Sequence, residues 1–257
     1  MTGLEISSLA AVAALAGAIN AFAGGGTLLT FPALLFFGTA PIAANATSTL
    51  ALVIGTTGSI FGFRGQLGAV RPWLARFVPV SIAGGWLGSV LLTRTSDRVF
   101  AGLVPWLILF ATLLFLAQGA FRRFAGFEEN GGAHPHARAV WVAVAFQFAV
   151  SVYGGYFGAG IGILMLASLG LLGLRDIHQM NALKNVLGSL INVVAAAVFI
   201  AGRLIDWPRA GVMTVGALAG YFLGAHFSQR IPQQAVRRII TGIGLAISAA
   251  LFWKQLR

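Results

Sequence analysis

Long apolar runs alternate with short polar breaks along the whole chain, and this pattern predicts membrane-spanning helices. A helix needs about 20 consecutive apolar residues to cross the hydrocarbon core of a bilayer. Eight runs come near this length: residues 4–23, 41–63, 77–93, 98–118, 140–157, 177–201, 208–227 and 233–253. The expected fold is therefore all-α, a polytopic membrane protein with about eight transmembrane helices.

Two further apolar stretches, residues 27–37 and 163–172, are only about half as long as a membrane span needs to be. Each follows a glycine cluster, Gly24-Gly25-Gly26 in the first case and Gly158-Ala159-Gly160-Ile161-Gly162 in the second. We expect two short half-helices at these places, each following a glycine-rich break.

The chain resembles itself at a constant offset of 136 residues. The offset pairs Gly26 with Gly162, Asn45-Ala46 with Asn181-Ala182, Gly84 with Gly220, Gly88 with Gly224, and Arg94 with Arg230. The alternative is chance, because glycine-rich apolar sequences match themselves easily. We interpret the pattern as two repeats, residues 1–121 and 139–257, joined by a polar linker at 122–138. The short segments leave the number of crossings in each half open, so parallel and inverted repeats are both allowed.

Composition excludes most soluble classes. Hydrophobic residues make up 58% of the chain and charged residues 9%, whereas an ordinary soluble domain has about 25% charged residues. The net charge of +11 comes from arginines in the breaks between apolar runs, so it indicates contact with lipid headgroups and no nucleic-acid partner. There is no cysteine, which excludes disulfides, thiolate metal sites and cysteine nucleophiles. No metal or other cofactor is predicted.

Two motifs resemble the signature of the sulfite exporter TauE/SafE family. The first copy is Gly24-Gly25-Gly26-Thr27-Leu28-Leu29-Thr30-Phe31-Pro32-Ala33-Leu34 followed by Ala44-Asn45-Ala46-Thr47-Ser48. The second copy, Gly158 to Gly162 and then Asn181-Ala182-Leu183-Lys184, departs from it, with Ser168 in place of Pro32 and Leu183-Lys184 in place of Thr47-Ser48. The resemblance covers nearly the whole chain and implies export of sulfite, sulfonates or related sulfur-containing anions.

Matched polar stripes lie on the second and sixth spans. Asn45, Ser48, Thr49 and Thr56 are spaced to share one helix face, and the offset of 136 converts them into Asn181, Lys184, Asn185 and Asn192. Such stripes can simply hold helices together by hydrogen bonding. Because each stripe follows a broken segment, we favour a shared binding cavity.

Lys184 is one of only two lysines and lies about two turns inside the sixth span. A buried ammonium is costly in a membrane and usually marks a functional site. The six carboxylates of the chain lie near span ends or in loops, so none is an obvious partner for Lys184 at mid-membrane. Because cation pumps usually need a buried carboxylate, this pattern does not favour a cation pump. The alternatives are that Lys184 extends to the membrane interface or pairs with Asp176.

The glycine clusters add backbone N–H groups at the starts of the short helices, where an anion can bind. The glycines can equally serve close helix packing. The candidate substrate-binding residues are Gly25, Gly26, Thr27, Asn45, Thr47, Ser48, Thr49, Gly160, Gly162, Asn181, Lys184, Asn185 and Asn192.

The expected function is export of a small sulfur-containing anion by alternating access between the repeats, in the inner cell membrane. The alternatives are a passive anion channel and an intramembrane enzyme with a Ser48–Lys184 pair; the leading hypothesis is not an enzyme. The predicted partners are the anion and the lipid bilayer. Membrane orientation and the choice between monomer and homodimer stay open.

Overall fold

A computed structural model of the chain describes residues 1–22, 25–62, 65, 67–126, 137–171, 177–227 and 233–255. These residues form ten helices: α1 Gly3–Phe22, α2 Thr27–Phe36, α3 Pro41–Gly62, α4 Leu67–Arg94, α5 Asp97–Gly126, α6 Ala137–Tyr156, α7 Ile161–Leu171, α8 Ile177–Ala201, α9 Trp207–Phe227 and α10 Gln233–Gln255. Each predicted span corresponds to a long helix, and the two short stretches form α2 and α7. Among the described residues, α1, α4, α5 and α8 are long and apolar enough to cross a membrane. The predicted all-α polytopic fold is confirmed.

Two helices continue beyond the apolar runs that predicted them. α4 begins at Leu67 rather than at residue 77, and α5 continues to Gly126, inside the predicted linker. A helix continues while its backbone hydrogen bonds are made, and charged side chains do not end it. At the start of α4 the exposed Arg76 places its guanidinium 5.4 Å from the ring centre of Trp73, a cation–π distance. The linker residues 127–136 lie outside the described part of the chain.

Four helix starts and the end of α2 meet at one face of the molecule. Arg209, near the start of α9, lies 2.7 Å from a carboxylate oxygen of Glu5, near the start of α1. Arg209 also donates to the carbonyl of Phe37, which follows α2 (3.2 Å). The carboxylate of Asp97, at the start of α5, accepts the N–H of Ile42 at the start of α3 (3.1 Å). We call this end of the bundle the Glu5 face.

The remaining long helices run toward the Glu5 face. α4 and α8 each end a few residues before α5 and α9 begin, so both end there. The last residue of α6, Tyr156, accepts a hydrogen bond from Asn45 near the start of α3 (3.1 Å). Phe252, near the end of α10, packs edge-on against Trp106 near the start of α5, with ring centres 4.9 Å apart. Compared pair by pair in chain order, α1, α3, α4 and α5 therefore run opposite to α6, α8, α9 and α10, respectively.

Glycines allow close approach at the two most extensive helix contacts, those of α1 with α9 and of α4 with α6. A methyl group at Gly220 would collide with the backbone carbonyl of Ala14. A methyl group at Gly84 would lie 2.6 Å from the Cβ of Ser151 and 2.8 Å from the carbonyl oxygen of Phe148. The offset of 136 pairs Gly84 with Gly220, so two positions that the sequence comparison aligns both make room at a crossing.

Candidate functional site

The first glycine turn joins α1 to α2 and is fixed by Asn20. Gly25 has φ +93°, a left-handed conformation that favours glycine. The N–H of Gly26 donates to the side-chain oxygen of Asn20 (2.7 Å), and a methyl group at Gly26 would lie 2.7 Å from the carbonyl oxygen of Ala16. Thr27, the first residue of α2, is half-buried. The turn thus holds the start of α2 firmly inside the bundle.

Several N–H groups at the start of α2 already have partners in the protein. Besides Gly26, the N–H of Leu28 donates to Gly25 and that of Leu29 donates to Gly26, each at 3.0 Å. Local hydrogen bonds of this kind tighten a helix start and use its donors. Fewer N–H groups at this helix start are therefore available to an anion than the glycine motif alone predicts.

The second glycine turn lies against the polar stripe of α8. Gly158 and Gly160 have φ +82° and +78°, and the Tyr153 hydroxyl donates to the carbonyl of Ala159 (2.7 Å). A methyl group at Gly162 would lie 3.3 Å from Cδ of Lys184, so the lysine stem passes directly over this glycine. This contact brings two predicted site residues together from different helices.

Asn192 of the α8 stripe borders the same turn. The side-chain oxygen of Asn192 lies 4.0 Å from the position of a methyl group at Gly158. Asn181, Lys184, Asn185 and Asn192 are all half-buried. A methyl group at Gly188, between them on the stripe, would meet no atom within 4 Å among the described residues. The second stripe therefore lines a space that the described protein atoms leave open.

The first stripe is buried and is used largely for internal hydrogen bonds. Ser48 and Thr30 hydroxyls lie 2.6 Å apart, and because Thr30 donates to the Gly26 carbonyl (3.2 Å), Ser48 is the donor to Thr30. Thr49 donates to the carbonyl of Asn45 within its own helix (2.9 Å). The carboxamide nitrogen of Asn45 donates to Tyr156, whereas its buried oxygen has no partner among the described residues.

Thr47 and Gly160 lie apart from the polar stripes. The Thr47 hydroxyl accepts the N–H of Asp206, one residue before α9 (3.0 Å). Gly160 packs against α5, where a methyl group would lie 3.5 Å from Leu114 and 3.7 Å from Ala111. Both residues position helices around the site, and neither faces the open space at Gly188 in the contacts described.

Residues 9–251 match the family model described as sulfite exporter TauE/SafE. The chain belongs to this family. The TauE/SafE resemblance predicted from the glycine and Ala-Thr-Ser motifs is thereby confirmed, and the chain is a polytopic membrane protein of a transporter family.

Similar TauE/SafE relatives are named as transporters. A "Probable membrane transporter protein" of Haemophilus influenzae is 28% identical over 252 residues, which cover 97% of this chain and 95% of the relative. "Probable membrane transporter protein YfcA" of Escherichia coli K12 is 28% identical over 247 residues, 94% of this chain and 87% of the relative. "Probable membrane transporter protein YunE" of Bacillus subtilis is 23% identical over 261 residues, 93% of this chain and 94% of the relative. No solved structure matches.

Sequence reasoning missed an ion-pair cluster at the Glu5 face of this TauE/SafE chain. Nε of Arg209 donates to Glu5 (2.8 Å), while a second guanidinium nitrogen binds Asp206 (2.5 Å). The side chains of Glu5 and Arg209 are only 11% and 21% exposed. In the sequence these residues are isolated charges near span ends, 204 positions apart, so no local spacing connects Glu5 to Arg209.

Arg209→Ala is expected to destabilise the protein because it leaves the Glu5 carboxylate largely buried without its guanidinium. Removing one partner of a buried ion pair costs about 3–5 kcal/mol, and the partial exposure here places the expected cost at the lower end of that range. Thermal unfolding of the detergent-purified protein measures it. Arg98→Ala, which removes an exposed arginine at the same face, is the matched control. Equal melting temperatures for the two variants would contradict a stabilising role for the cluster.

Proposed function

We propose that this protein exports a small sulfur-containing anion, such as sulfite, thiosulfate or a sulfonate like sulfoacetate, by alternating access. The observation that carries the proposal is the position of Lys184. Its stem lies over Gly162 of the second glycine turn, on a half-buried polar stripe that borders the space at Gly188. The family and the names of its relatives support transport, and the stripe supports an anion.

The donors of this stripe suit a sulfur oxyanion. An ammonium group and carboxamide N–H groups donate hydrogen bonds, and the oxygens of sulfite, thiosulfate and sulfonates accept them. Hydrogen bonds to an ion are shorter and stronger than neutral ones. Lys184 supplies the positive charge, while Asn181, Asn185 and Asn192 supply amide donors at helical spacing.

One contact supports the repeat relation in physical detail. Gly55 of α3 makes room for the ring of Tyr221 of α9, since a methyl group at Gly55 would overlap that ring. The offset of 136 converts Gly55 into Ile191 and Tyr221 into Gly85, and Ile191 lies 3.3 Å from a methyl position at Gly85. The same two positions therefore touch at two places, each of which joins one half to the other, with the large and the small residue exchanged.

This relation, together with the helix directions, supports inverted repeats. α3 and α8 occupy equivalent places and run in opposite directions, as do α5 and α10. Inverted repeats around a site near mid-membrane allow the two halves to exchange conformations, which opens the site alternately to each side. The broken segments α2 and α7 lie beside the stripes, as such sites require.

Export of an anion can proceed without a proton relay. We place the protein in the inner cell membrane, where the interior is negative. An anion that leaves such a cell gains about 2.3 kcal/mol per charge for each 100 mV of membrane potential. The membrane potential is therefore a sufficient driving force for a monovalent sulfonate.

Flux measurements in proteoliposomes test the proposal. Vesicles containing the purified protein and loaded with radiolabelled sulfite, thiosulfate or sulfoacetate should show saturable efflux that unlabelled anion on the opposite side accelerates. Chloride and protein-free vesicles are the controls. Efflux that rises linearly with concentration and lacks this acceleration would indicate a channel instead. Absence of flux for all three anions, with folded protein in the vesicles, would contradict the proposal.

A further inference from the structure

Three buried phenylalanines pack edge to face between separate segments of the bundle. Phe31 of α2 and Phe157, which follows α6, have ring centres 5.4 Å apart. Phe100, in the first turn of α5, lies 6.3 Å from Phe31 and 6.4 Å from Phe157. Edge-to-face pairs of this kind add about 0.5–1.5 kcal/mol each beyond the burial of their area. The three rings therefore form one cohesive cluster.

The cluster lies beside the first polar stripe, at the end of the bundle that carries the Glu5 face. Phe31 follows the threonine that binds Ser48, and Phe157 follows the tyrosine whose carbonyl binds Asn45. Phe100 belongs to the first turn of a helix that starts at the Glu5 face. An anion that moved between the stripe and this face past the cluster would meet rings that offer no hydrogen-bond donor, at a large desolvation cost.

The opposite end of the molecule has no equivalent cluster in its sequence. The offset of 136 places three aliphatic residues at the corresponding positions: Ala167, Val236 and Ala21. The two polar stripes also differ between the two ends of the molecule, in how deeply they are buried. Asn45 and Ser48 are buried, whereas Asn181 and Lys184, nearer the opposite face, are half-buried. The two ends therefore differ, and the polar positions nearer the Glu5 face are the more buried.

Positive charge is concentrated at the face opposite Glu5. Among the described residues, the helix ends at that face contain seven arginines: Arg71, Arg76, Arg122, Arg123, Arg138, Arg237 and Arg238. The described helix ends and connections at the Glu5 face contain five Lys or Arg residues: Arg94, Arg98, Arg203, Arg209 and Lys254. An excess of Lys and Arg marks the cytoplasmic side of membrane proteins. The basic face is therefore the cytoplasmic one.

We propose that this structure is the inward-open state of the transporter, with the Phe31–Phe100–Phe157 cluster as the seal toward the outside and the Gly188 space open to the cytoplasm. The proposal rests on the transport function proposed above. In an export cycle the anion enters from the cytoplasm, and the three rings must separate before it leaves. The cluster then sets which state the empty protein prefers.

Single-cysteine labelling tests this assignment independently of transport, because the chain contains no cysteine of its own. Gly188→Cys adds a side chain whose Cβ meets no described atom within 4 Å. A membrane-impermeant maleimide is added to spheroplasts, which expose the outer side, and to inverted membrane vesicles, which expose the cytoplasmic side. Gly3→Cys and Gly68→Cys, both at exposed positions without close neighbours, are the controls for the Glu5 face and the basic face.

We expect Gly188→Cys and Gly68→Cys to be labelled only in inverted vesicles and Gly3→Cys only in spheroplasts. Labelling of Gly188→Cys from the spheroplast side, or from neither side, would overturn the inward-open assignment. Reversed labelling of the two controls would overturn the orientation. Neither outcome depends on whether sulfite is transported, so failure here differs from failure of the proposed function.

Removing one ring tests the seal itself. Phe157→Ala, combined with Gly188→Cys, is expected to let the reagent reach the thiol from spheroplasts as well as from inverted vesicles. Phe31→Ala is a second variant with the same expectation. Continued protection from the outer side in both folded double variants would show that the cluster is not the barrier.

Discussion

Alanine in place of Lys184 is expected to lower sulfur-anion efflux, measured as Vmax/KM in proteoliposomes, by roughly 10- to 100-fold. A hydrogen bond to a charged group contributes about 1.5–3 kcal/mol, and about 1.4 kcal/mol corresponds to tenfold. The lysine lies over the second glycine turn and supplies the positive charge of the stripe. Its loss should weaken anion binding directly, so the affinity of the purified protein for the anion should fall by a similar factor.

Matched variants separate charge from structure. Lys184→Arg keeps a cation on the stripe and should retain part of the activity. Lys254→Ala removes the only other lysine, near the end of α10, and should leave efflux unchanged. Undiminished efflux in Lys184→Ala would remove this residue from the mechanism.

The helices were predictable because apolar length alone separates a membrane span from a loop. The direction in which each half runs relative to the other was not predictable. The sequence shows that residues 27–37 are too short to cross, and it does not show to which face they return. The structure answers this through Arg209, which donates to the carbonyl of Phe37 beside Glu5. α1 and α2 therefore form a hairpin that begins and ends at one face, a tertiary fact without a local signal.

The stripes were predictable because helical periodicity is local, and the same periodicity shows why Thr47 stands apart. Thr47 is two residues from Asn45, which places it about 200° around a helix of 3.6 residues per turn. Its hydroxyl indeed binds the N–H of Asp206 at the start of α9. The family motif groups Thr47 with Ser48 because they are adjacent in sequence, although adjacent residues point in different directions.

Periodicity also left open what the polar groups contact. The Ser48 hydroxyl is bound to Thr30, and Ser189 of α8 donates to the carbonyl of Thr56 (2.9 Å). These bonds hold α2 to α3 and α3 to α8, as the packing alternative expects. The first stripe thus serves mainly as a connection between helices, and the half-buried second stripe is the better candidate for the anion. A match in spacing between repeats does not guarantee the same use in both.

Gly220→Ala is expected to destabilise the protein by about 1–3 kcal/mol, the usual cost of overpacking a well-packed contact. The added methyl group would meet the carbonyl of Ala14, a backbone atom that cannot rotate away, so α1 and α9 would have to separate. Gly211→Ala on the same helix is the matched control, since a methyl group there meets no described atom within 4 Å. Alanine in a helix is favoured over glycine by about 0.5–1 kcal/mol, so this control should be neutral or stabilising.

The same glycine-to-alanine change is therefore expected to lower the stability at position 220 and to leave it unchanged or raise it at position 211. Thermal unfolding in detergent should place Gly220→Ala below the parent protein and Gly211→Ala at or above it. Gly84→Ala, at the equivalent repeat position, should follow Gly220→Ala, because its methyl group would lie 2.8 Å from the carbonyl oxygen of Phe148. A melting temperature for Gly220→Ala equal to that of Gly211→Ala would show that α1 and α9 do not cross this closely. If only Gly84→Ala were tolerated, the two crossings would not be equivalent, and the repeat relation would lose the support of this pair of glycines.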